Sequence, residues 1–547
     1  MTPQELSSVI RGVLASAVDD GAVTVEVPDD VRVERPRNRE HGDWATNVAL
    51  QLGKQAGMPP RELAQLLADR VSAVPGVKSV DVAGPGFLNI TLDAAAAGQL
   101  ARTIVEAGDE YGRGNALDGH VVNLEFVSAN PTGPLHIGHT RWAALGDSIG
   151  RLLRATGAEV TNEHYVNDAG AQMDKFGASV LARAADRPVP EDGYHGEYVK
   201  DLALGVLAER PDLLDMPEDE AVAVARDVGY RLQLAEMKQT LADFGVHFDV
   251  WFSERTLHES GAVEDAVARL REQGHVYDAD GAVWLRTTDF DDDRDRVLIR
   301  GDGQPTYFAA DAAYYLSKKD RGFPEKIYLL GADHHGYVNR LRAIAACAGD
   351  DPDKSIEVLI GQLVSVGGAR LSKRAGNIVE LRDLIDWLGT DAVRYSLARY
   401  PADSPLSLDG EELRKQTNDN PVFYVQYAHA RTSGVSRNAR DLGVRLEDGF
   451  DPALLDHETE TALLAKLGEF PRVVAQAAEL REPHRVARHL EQTAAAYHKW
   501  YDERRVTPMG DEPVTDVHRT RLWLNEATRR VLANGLLLLG VTAPERM

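Results

Sequence analysis

Apolar residues recur at helical spacing over residues 5–17, again over 44–56, and once more after Pro60. Two short apolar segments, 77–82 and 87–92, flank a Gly84-Pro85-Gly86 turn and predict a strand pair. These elements describe a small α+β unit over residues 1–112, closed by the glycine-rich stretch 108–114. The apolar run 121–127 then predicts a strand. Trp142, Leu145, Ile149 and Leu152 share one face of a following helix that Gly157 ends, and 160–165 reads as the next strand. A second β–α–β pattern runs through 327–331, a helix over 338–348, and an apolar strand over 356–366. Between the two halves, residues 185–290 are acidic and mostly helical in pattern, and read as an insertion. From Pro421 the pattern is helical almost throughout, with Leu522, Val531, Leu532, Leu536 and Leu539 suited to the last helix of a bundle.

Composition narrows this picture. With 547 residues, 43% hydrophobic and 27% charged, the chain is long enough for several globular domains. Its first residues lack the basic start, apolar core and small-residue cleavage site of a signal peptide and read as an amphipathic helix. The apolar run 536–541 is too short to span a bilayer, so a cytoplasmic protein with no membrane partner is expected. One cysteine, Cys347, excludes an internal disulfide and a cysteine-rich zinc site. The net charge of −25 argues against nucleic acid at first sight. Residues 421–547, however, hold 17 basic and 18 acidic side chains, so nearly all the negative excess lies in the first 420 residues. The C-terminal segment is thus able to present a basic face.

The chemistry concentrates after the first strand of the parallel pattern. Ser128-Ala129-Asn130-Pro131-Thr132-Gly133-Pro134-Leu135-His136-Ile137-Gly138-His139 links that strand to its helix, where a doubly wound, Rossmann-type sheet binds ligands. Backbone N–H groups at the helix start favour phosphate, Gly138 lets a flat base approach, and His136 and His139 face the same side. An isolated pair of histidines at this spacing is usually a capped helix with two surface rings; the prolines, glycines and strand–turn–helix setting argue for more. A second loop, Gly367-Gly368-Ala369-Arg370-Leu371-Ser372-Lys373-Arg374-Ala375-Gly376-Asn377, follows the later strand and carries a flexible cation, Lys373. A third, Gly331-Ala332-Asp333-His334-His335-Gly336, offers Asp333 to ribose hydroxyls. Adjacent side chains rarely converge on one ion, so no metal site is expected there.

The His136–His139 segment resembles the His-Ile-Gly-His signature of class I aminoacyl-tRNA synthetases, and the second loop resembles their Lys-Met-Ser-Lys-Ser loop, with Arg370 and Arg374 departing from it. The surrounding sequence is similar to the arginyl branch of that family: Asn123 to His136, Tyr165-Val166-Asn167-Asp168-Ala169-Gly170, Thr306-Tyr307-Phe308-Ala309-Ala310-Asp311, residues 420–431, 37–47 and 541–547. The resemblance implies a multidomain α/β protein: an N-terminal tRNA-contacting α+β domain (1–112), a Rossmann-type catalytic domain (113–420) and a helical anticodon-binding domain (421–547). It implies ATP-dependent activation of L-arginine, with Mg²⁺ accompanying the nucleotide, and transfer to the terminal adenosine of tRNA. His136, His139 and Lys373 would be catalytic. Pro131, Thr132, Gly133, Leu135, Gly138, Gly331, Asp333, Leu371 and Ser372 would join them around ATP. Ser128, Asn130 and His334 would hold the amino and carboxylate groups of arginine; Tyr307, Asp311 and Glu254 the guanidinium, with Glu125 close by. Tyr424 and Tyr427 are candidates for stacking on anticodon bases. The resemblance also implies no zinc, a monomer, and activation that requires bound tRNA. The insertion is too short for an editing domain, which a planar guanidinium does not need. The alternatives are a catalytically silent tRNA-binding relative and a shorter adenylate-forming nucleotidyltransferase.

Overall fold

The structure, a computed structural model, describes all residues except Thr2, 37–40 and 368–378. Helix Pro3–Asp19 lays Leu6, Ile10 and Leu14 on a four-stranded antiparallel sheet of β1 (Val33–Glu34), β2 (Trp44–Thr46), β3 (Val77–Ala83) and β4 (Phe87–Leu92), in the order β1-β2-β4-β3. The helical spacing over 44–56 is realised only at Val48–Leu52. Trp44 and Thr46 instead alternate inward from β2 and pair with β4, a partnership that spacing alone does not display. Helix Ala94–Ala107 leaves this unit: Leu100, Ala101 and Ile104 enter the core of the C-terminal helices beside Leu467 and Phe470.

The central sheet begins with β5 (Val121–Glu125), β6 (Glu159–Val166) and β7 (Val250–Ser253). A separate antiparallel sheet follows, made of β8 (Val276–Ala279), β9 (Ala282–Leu285) and β10 (Arg296–Ile299). The chain returns as β11 (Glu325–Gly331) and β12 (Ile356–Gly361), completing five parallel strands in the order β12-β11-β5-β6-β7. The direction of winding reverses between β5 and β11, so the crevice beyond their C-terminal ends is where such a sheet takes ligands.

Residues 185–290 are therefore not one helical insertion. Helices Ala171–Ala184, Tyr198–Glu209 and Glu218–Asp243 build their own core, but β7 belongs to the central sheet. Four residues are too few to show a period, and only pairing with β6 makes them a strand. The apolar run 356–366 also splits. After β12 the chain breaks at Gln362 and Leu363, and β13 (Val364–Gly367) pairs in parallel with β14 (Leu406–Asp409) outside the main sheet. The buried Arg141 donates to the carbonyls of Gln362 (3.0 Å), Ser404 (2.8 Å) and Pro401 (2.7 Å), and so satisfies the backbone at the break.

Helix Ile137–Ala155, here the signature helix, fills the space behind β5. Gly146 lies so close to the Phe126 ring that a Cβ would collide with it. The C-terminal helices Pro421–Asp441, Glu458–Glu479, His484–Glu503 and Asp516–Leu538 form a bundle, with Leu522, Val531, Leu532, Leu536 and Leu539 all buried. No helix of the described residues is long and apolar enough to cross a membrane.

Two glycines in helices should respond to alanine with opposite signs. Gly146→Ala overpacks the β5–helix contact and should lower stability by about 1–3 kcal/mol. Gly12, exposed in Pro3–Asp19 with nothing within 4 Å of its would-be Cβ, should gain about 0.5–1 kcal/mol as alanine. Urea midpoints of the two variants against the parent check both signs.

Candidate active site

The chain leaves β5 through a backbone conformation that its residue types do not favour. Val127 and Ser128 have φ of 68° and 42°, in the left-handed region, where a β-branched residue is rare. Such strain costs about 1–3 kcal/mol per residue and persists only when the surroundings over-determine it. They do: Ser128 Oγ accepts from the Tyr165 N–H (3.2 Å) and donates to Glu125 Oε1 (3.1 Å). The Ala129 N–H donates to His164 Nε2 (3.4 Å), and burial pushes that ring down to about 3. The turn lifts Ser128 and the exposed Asn130 to the sheet's C-terminal edge, where Asn130 Nδ2 donates to Gln172 Oε1 (3.4 Å).

Pro131, Thr132 and Leu135 are buried, and the Tyr198 hydroxyl donates to the Thr132 carbonyl (2.7 Å) with its ring against Gly133. His136 then caps the signature helix. Its Nδ1 accepts from the Gly138 N–H (3.1 Å), and His139 Nδ1 accepts from the His136 N–H (3.3 Å), with ring centroids 3.9 Å apart. A Cβ at Gly138 would lie 3.0 Å from His136 Cε1, so the missing side chain makes room for this cap. Both Nδ1 atoms accept, which puts each ring proton on Nε2. Burial lowers the pKa of both rings, and His139 is pushed down to about 3, with His136 adding to the shift. At neutral pH the pair is two uncharged imidazoles, each with an Nε2–H that has no acceptor among the described residues.

The start of this helix is also tied to the far end of the second loop. The Ile137 N–H donates to the Val379 carbonyl (2.9 Å) and the Leu381 N–H to the Leu135 carbonyl (2.7 Å). The loop residues Arg370, Leu371, Ser372, Lys373 and Arg374 lie outside the described residues, as do the side chains of Asp333 and His335. Gly331 ends β11 opposite Gly361, and His334 is exposed in the turn that follows, its ring 6.5 Å from Tyr337.

Beside this edge lies an acidic recess. Glu254 follows β7, held by its N–H on the Val166 carbonyl (3.0 Å); it is buried, and that burial raises its pKa, while the Tyr165 hydroxyl and His258 oppose the shift. Asp311 sits on helix Tyr307–Asp320, whose start is capped by Thr306. Burial pushes Asp311 up to about 7; the Glu254 and Glu125 carboxylates add to the rise, and the Tyr337 hydroxyl and Arg340 oppose it. Tyr307, one turn earlier, is 70% exposed. Glu254 and Tyr307 line one cavity of about 760 Å³ together with Asp168, Arg255, His258 and Thr306.

Glu125 faces a different task. Its Oε2 receives Lys318 Nζ (2.5 Å) and the Tyr314 hydroxyl (2.9 Å), and its Oε1 receives Ser128. Glu163 on β6 likewise receives Arg321 (2.7 and 2.9 Å), Tyr314 (2.6 Å) and Asn123 (2.7 Å). Sequence reasoning did not single out Lys318, Tyr314 or Tyr337, which lie in ordinary-looking helix and turn segments. Nor did it assign Asp168, which accepts from the Tyr230 and Ser253 hydroxyls (2.8 and 2.6 Å) and the Arg255 N–H (3.0 Å) and so joins the loops after β6 and β7. Its place in the Tyr165–Gly170 motif was the available signal.

Comparison with known proteins agrees along the whole chain. Residues 4–92 match the arginyl tRNA synthetase N terminal domain; 103–195 and 219–399 match the catalytic domain of tRNA synthetases class I (R); and 425–547 match the DALR anticodon binding domain. The arginine–tRNA ligase of Paenarthrobacter aurescens is 67% identical over 550 residues, and that of Pseudarthrobacter chlorophenolicus 67% over 554, each covering 100% of both chains. The Thermus thermophilus arginyl-tRNA synthetase structure covers 100% of both chains with a TM-score of 0.75 at 24% identity, a likeness of fold. The strained turn, the histidine-capped helix and the acidic recess thus stand in a chain that belongs to the arginyl-tRNA synthetase family.

Proposed function

We propose that this protein is an arginine–tRNA ligase that activates L-arginine with ATP and transfers it to the terminal adenosine of its tRNA. One observation carries the reading: two imidazole N–H donors at a helix start and a recess of carboxylates whose pKa is raised share one edge of the sheet. In the first step a carboxylate oxygen of arginine attacks the α-phosphorus of ATP in line, and pyrophosphate leaves with its Mg²⁺. His136 and His139 donate from Nε2 to phosphate oxygens as charge gathers there, and remain neutral. Lys373 follows the leaving phosphates; in support, the chain just past its loop is tied to the signature helix, the Ile137 N–H donating to the Val379 carbonyl (2.9 Å). Pro131, Thr132, Gly133, Leu135, Gly138, Gly331, Asp333, Leu371 and Ser372 shape the rest of the nucleotide site. In the second step the 2′-hydroxyl of the terminal adenosine attacks the adenylate carbonyl and AMP leaves. Positioning and electrostatics perform both steps.

The guanidinium enters the recess between Glu254 and Asp311 with Tyr307 over it, while Ser128, Asn130 and His334 orient the amino and carboxylate groups. Glu125 supports Ser128 from below. A fork of N–H donors matched to carboxylates rejects amino acids that would leave them unpaired. Mg²⁺ comes with the nucleotide, no zinc takes part, and the working form is a cytoplasmic monomer. The C-terminal bundle binds the anticodon loop. In support, Phe423 and Tyr427 stack at 5.8 Å and 6°, and Arg431 lies over Tyr427 (4.8 Å) and the exposed Tyr501 (4.9 Å). This is a platform of the kind on which unstacked bases rest. Tyr424 packs against His498 (5.1 Å) at its edge. The catalytic-domain match favours an enzyme over a silent tRNA-binding relative.

Three measurements test this. Arginine-dependent ATP–pyrophosphate exchange with cognate tRNA should occur, and His136→Ala should cut its kcat/KM about 10²–10³-fold; exchange driven by another amino acid instead of arginine would sink the assignment. The KM for arginine should rise as pH falls below about 7, because Asp311 must then lose a proton to meet the cation, and should flatten above it. Asp311→Asn should remove that slope. Tyr427→Ala should raise the KM for tRNA about tenfold, in line with about 1–3 kcal/mol of stacking, and leave the KM for ATP unchanged.

A further inference from the structure

Glu254 owes its place to a buried carboxylate on the neighbouring loop. Asp168 follows β6 and is 3% exposed. Its N–H and the Glu254 N–H converge on one acceptor, the Val166 carbonyl, each at 3.0 Å. From there the Asp168 side chain grips both flanks of Glu254. Oδ2 accepts from the Ser253 hydroxyl (2.6 Å) and Oδ1 from the Arg255 N–H (3.0 Å). A third donor comes from the insertion, where Tyr230 in the middle of helix Glu218–Asp243 donates its hydroxyl to Oδ2 (2.8 Å). Arg255 closes the cluster: its Nη2 donates to the Asp168 carbonyl (3.5 Å), and its guanidinium lies over the Tyr230 ring (5.5 Å). The insertion helix also gives Arg226 to the wall of the cavity that Asp168, Glu254 and Arg255 line.

Glu254 immediately precedes the five-residue helix Arg255–Glu259, a position whose side chain commonly turns back to accept from the free N–H groups of the first turn. Its carboxylate makes no such bond. Asp168 meets the Arg255 N–H in its stead, and the Glu254 carboxylate is left to line the cavity, with His258 Nε2 3.8 Å away. Ser253 ends β7 in register with Val166, so strand pairing and the Asp168 carboxylate hold the same short segment from two sides. Removing that carboxylate leaves two hydroxyls and a backbone N–H around Glu254 without their acceptor. The loop after β7 then settles on other partners, and Glu254 is the side chain that moves with it.

We propose that Asp168 is a positioning residue that fixes the Glu254 carboxylate for the guanidinium, with Tyr230 of the insertion bracing it. The proposal rests on the function above, in which Glu254 meets the arginine side chain, and it gives the insertion a part in choosing the amino acid. The experiment is ATP–pyrophosphate exchange by the full-length enzyme with cognate tRNA present, varying arginine and then ATP. Beside it stands inhibition by agmatine, which keeps the guanidinium and lacks the carboxylate. Asp168→Ala should raise the KM for arginine and the Ki of agmatine in parallel, each about tenfold, while kcat and the KM for ATP stay within about threefold of wild type. Asp168→Asn, which keeps one oxygen for the Arg255 N–H, should recover most of the loss. Tyr230→Phe removes a single donor; it should raise both constants about threefold and carries the test if Asp168→Ala does not fold. An unchanged KM for arginine in a folded Asp168→Ala, or in Tyr230→Phe, overturns the proposal. So does a rise in that KM without a matching rise in the agmatine Ki, because the loss then lies at the other end of the amino acid. An equal rise in the KM for ATP, or a loss confined to kcat, overturns it as well. Glu254→Gln tests the reading beneath: an unchanged KM for arginine there removes the assignment of the recess, and the proposal with it, whatever the Asp168 variants show.

Discussion

Two carboxylates buried on adjacent strands, Glu125 on β5 and Glu163 on β6, demand two cations, and one helix supplies both. Lys318 and Arg321 stand at the end of helix Tyr307–Asp320, where the backbone dipole already favours positive charge. Tyr314 bridges the two carboxylates from the same helix. Leaving either carboxylate without its cation would be severely destabilising, so this pairing dictates how the helix lies across the sheet. Its other half is thereby carried to the sheet's C-terminal edge, with Tyr307 and Asp311 on it. The same Glu125 receives the Ser128 hydroxyl and helps hold the strained turn open. One buried charge network thus places both the helix that carries Tyr307 and Asp311 and the turn that carries Ser128.

The electrostatics of the site follow from what that network leaves unneutralised. Glu125 and Glu163 are matched from within the fold, whereas burial raises the pKa of Glu254 and Asp311, with Asp168 adding to the first shift and Glu254 and Glu125 adding to the second. At the start of the signature helix the logic is reversed. The histidines are kept neutral by burial and fixed in one tautomer by their own backbone, so they offer directed hydrogen bonds without adding two permanent charges beside the acids.

The bundle is joined to this site through packing. Helix Ala94–Ala107 gives its apolar face to the bundle core, and the signature helix adds Leu152 and Ala155 to the same cluster. The core therefore crosses from one domain into the next. Buried residues on both sides of the boundaries expected after residues 112 and 420 share that one cluster.

By itself the sequence determined the parallel α/β pattern, the helical C-terminal third and the residues of the signature. These depend on period, on turn residues and on spacing along a few dozen positions. It also pointed to Glu254, Tyr307 and Asp311 through resemblance. Only the tertiary structure decided that Trp44–Thr46 and Val250–Ser253 are strands, and that the run over 356–366 breaks into two sheets. A short strand is defined by its partner, and a break is tolerated only where a side chain such as Arg141 caps the freed carbonyls. The division of labour among the acids was likewise hidden. Glu125 and Glu254 are the same residue type, and only the positions of Lys318, Tyr314 and Ser128, distant in sequence or across the sheet, assign one to hold the frame, while the other faces the Tyr165 hydroxyl and His258.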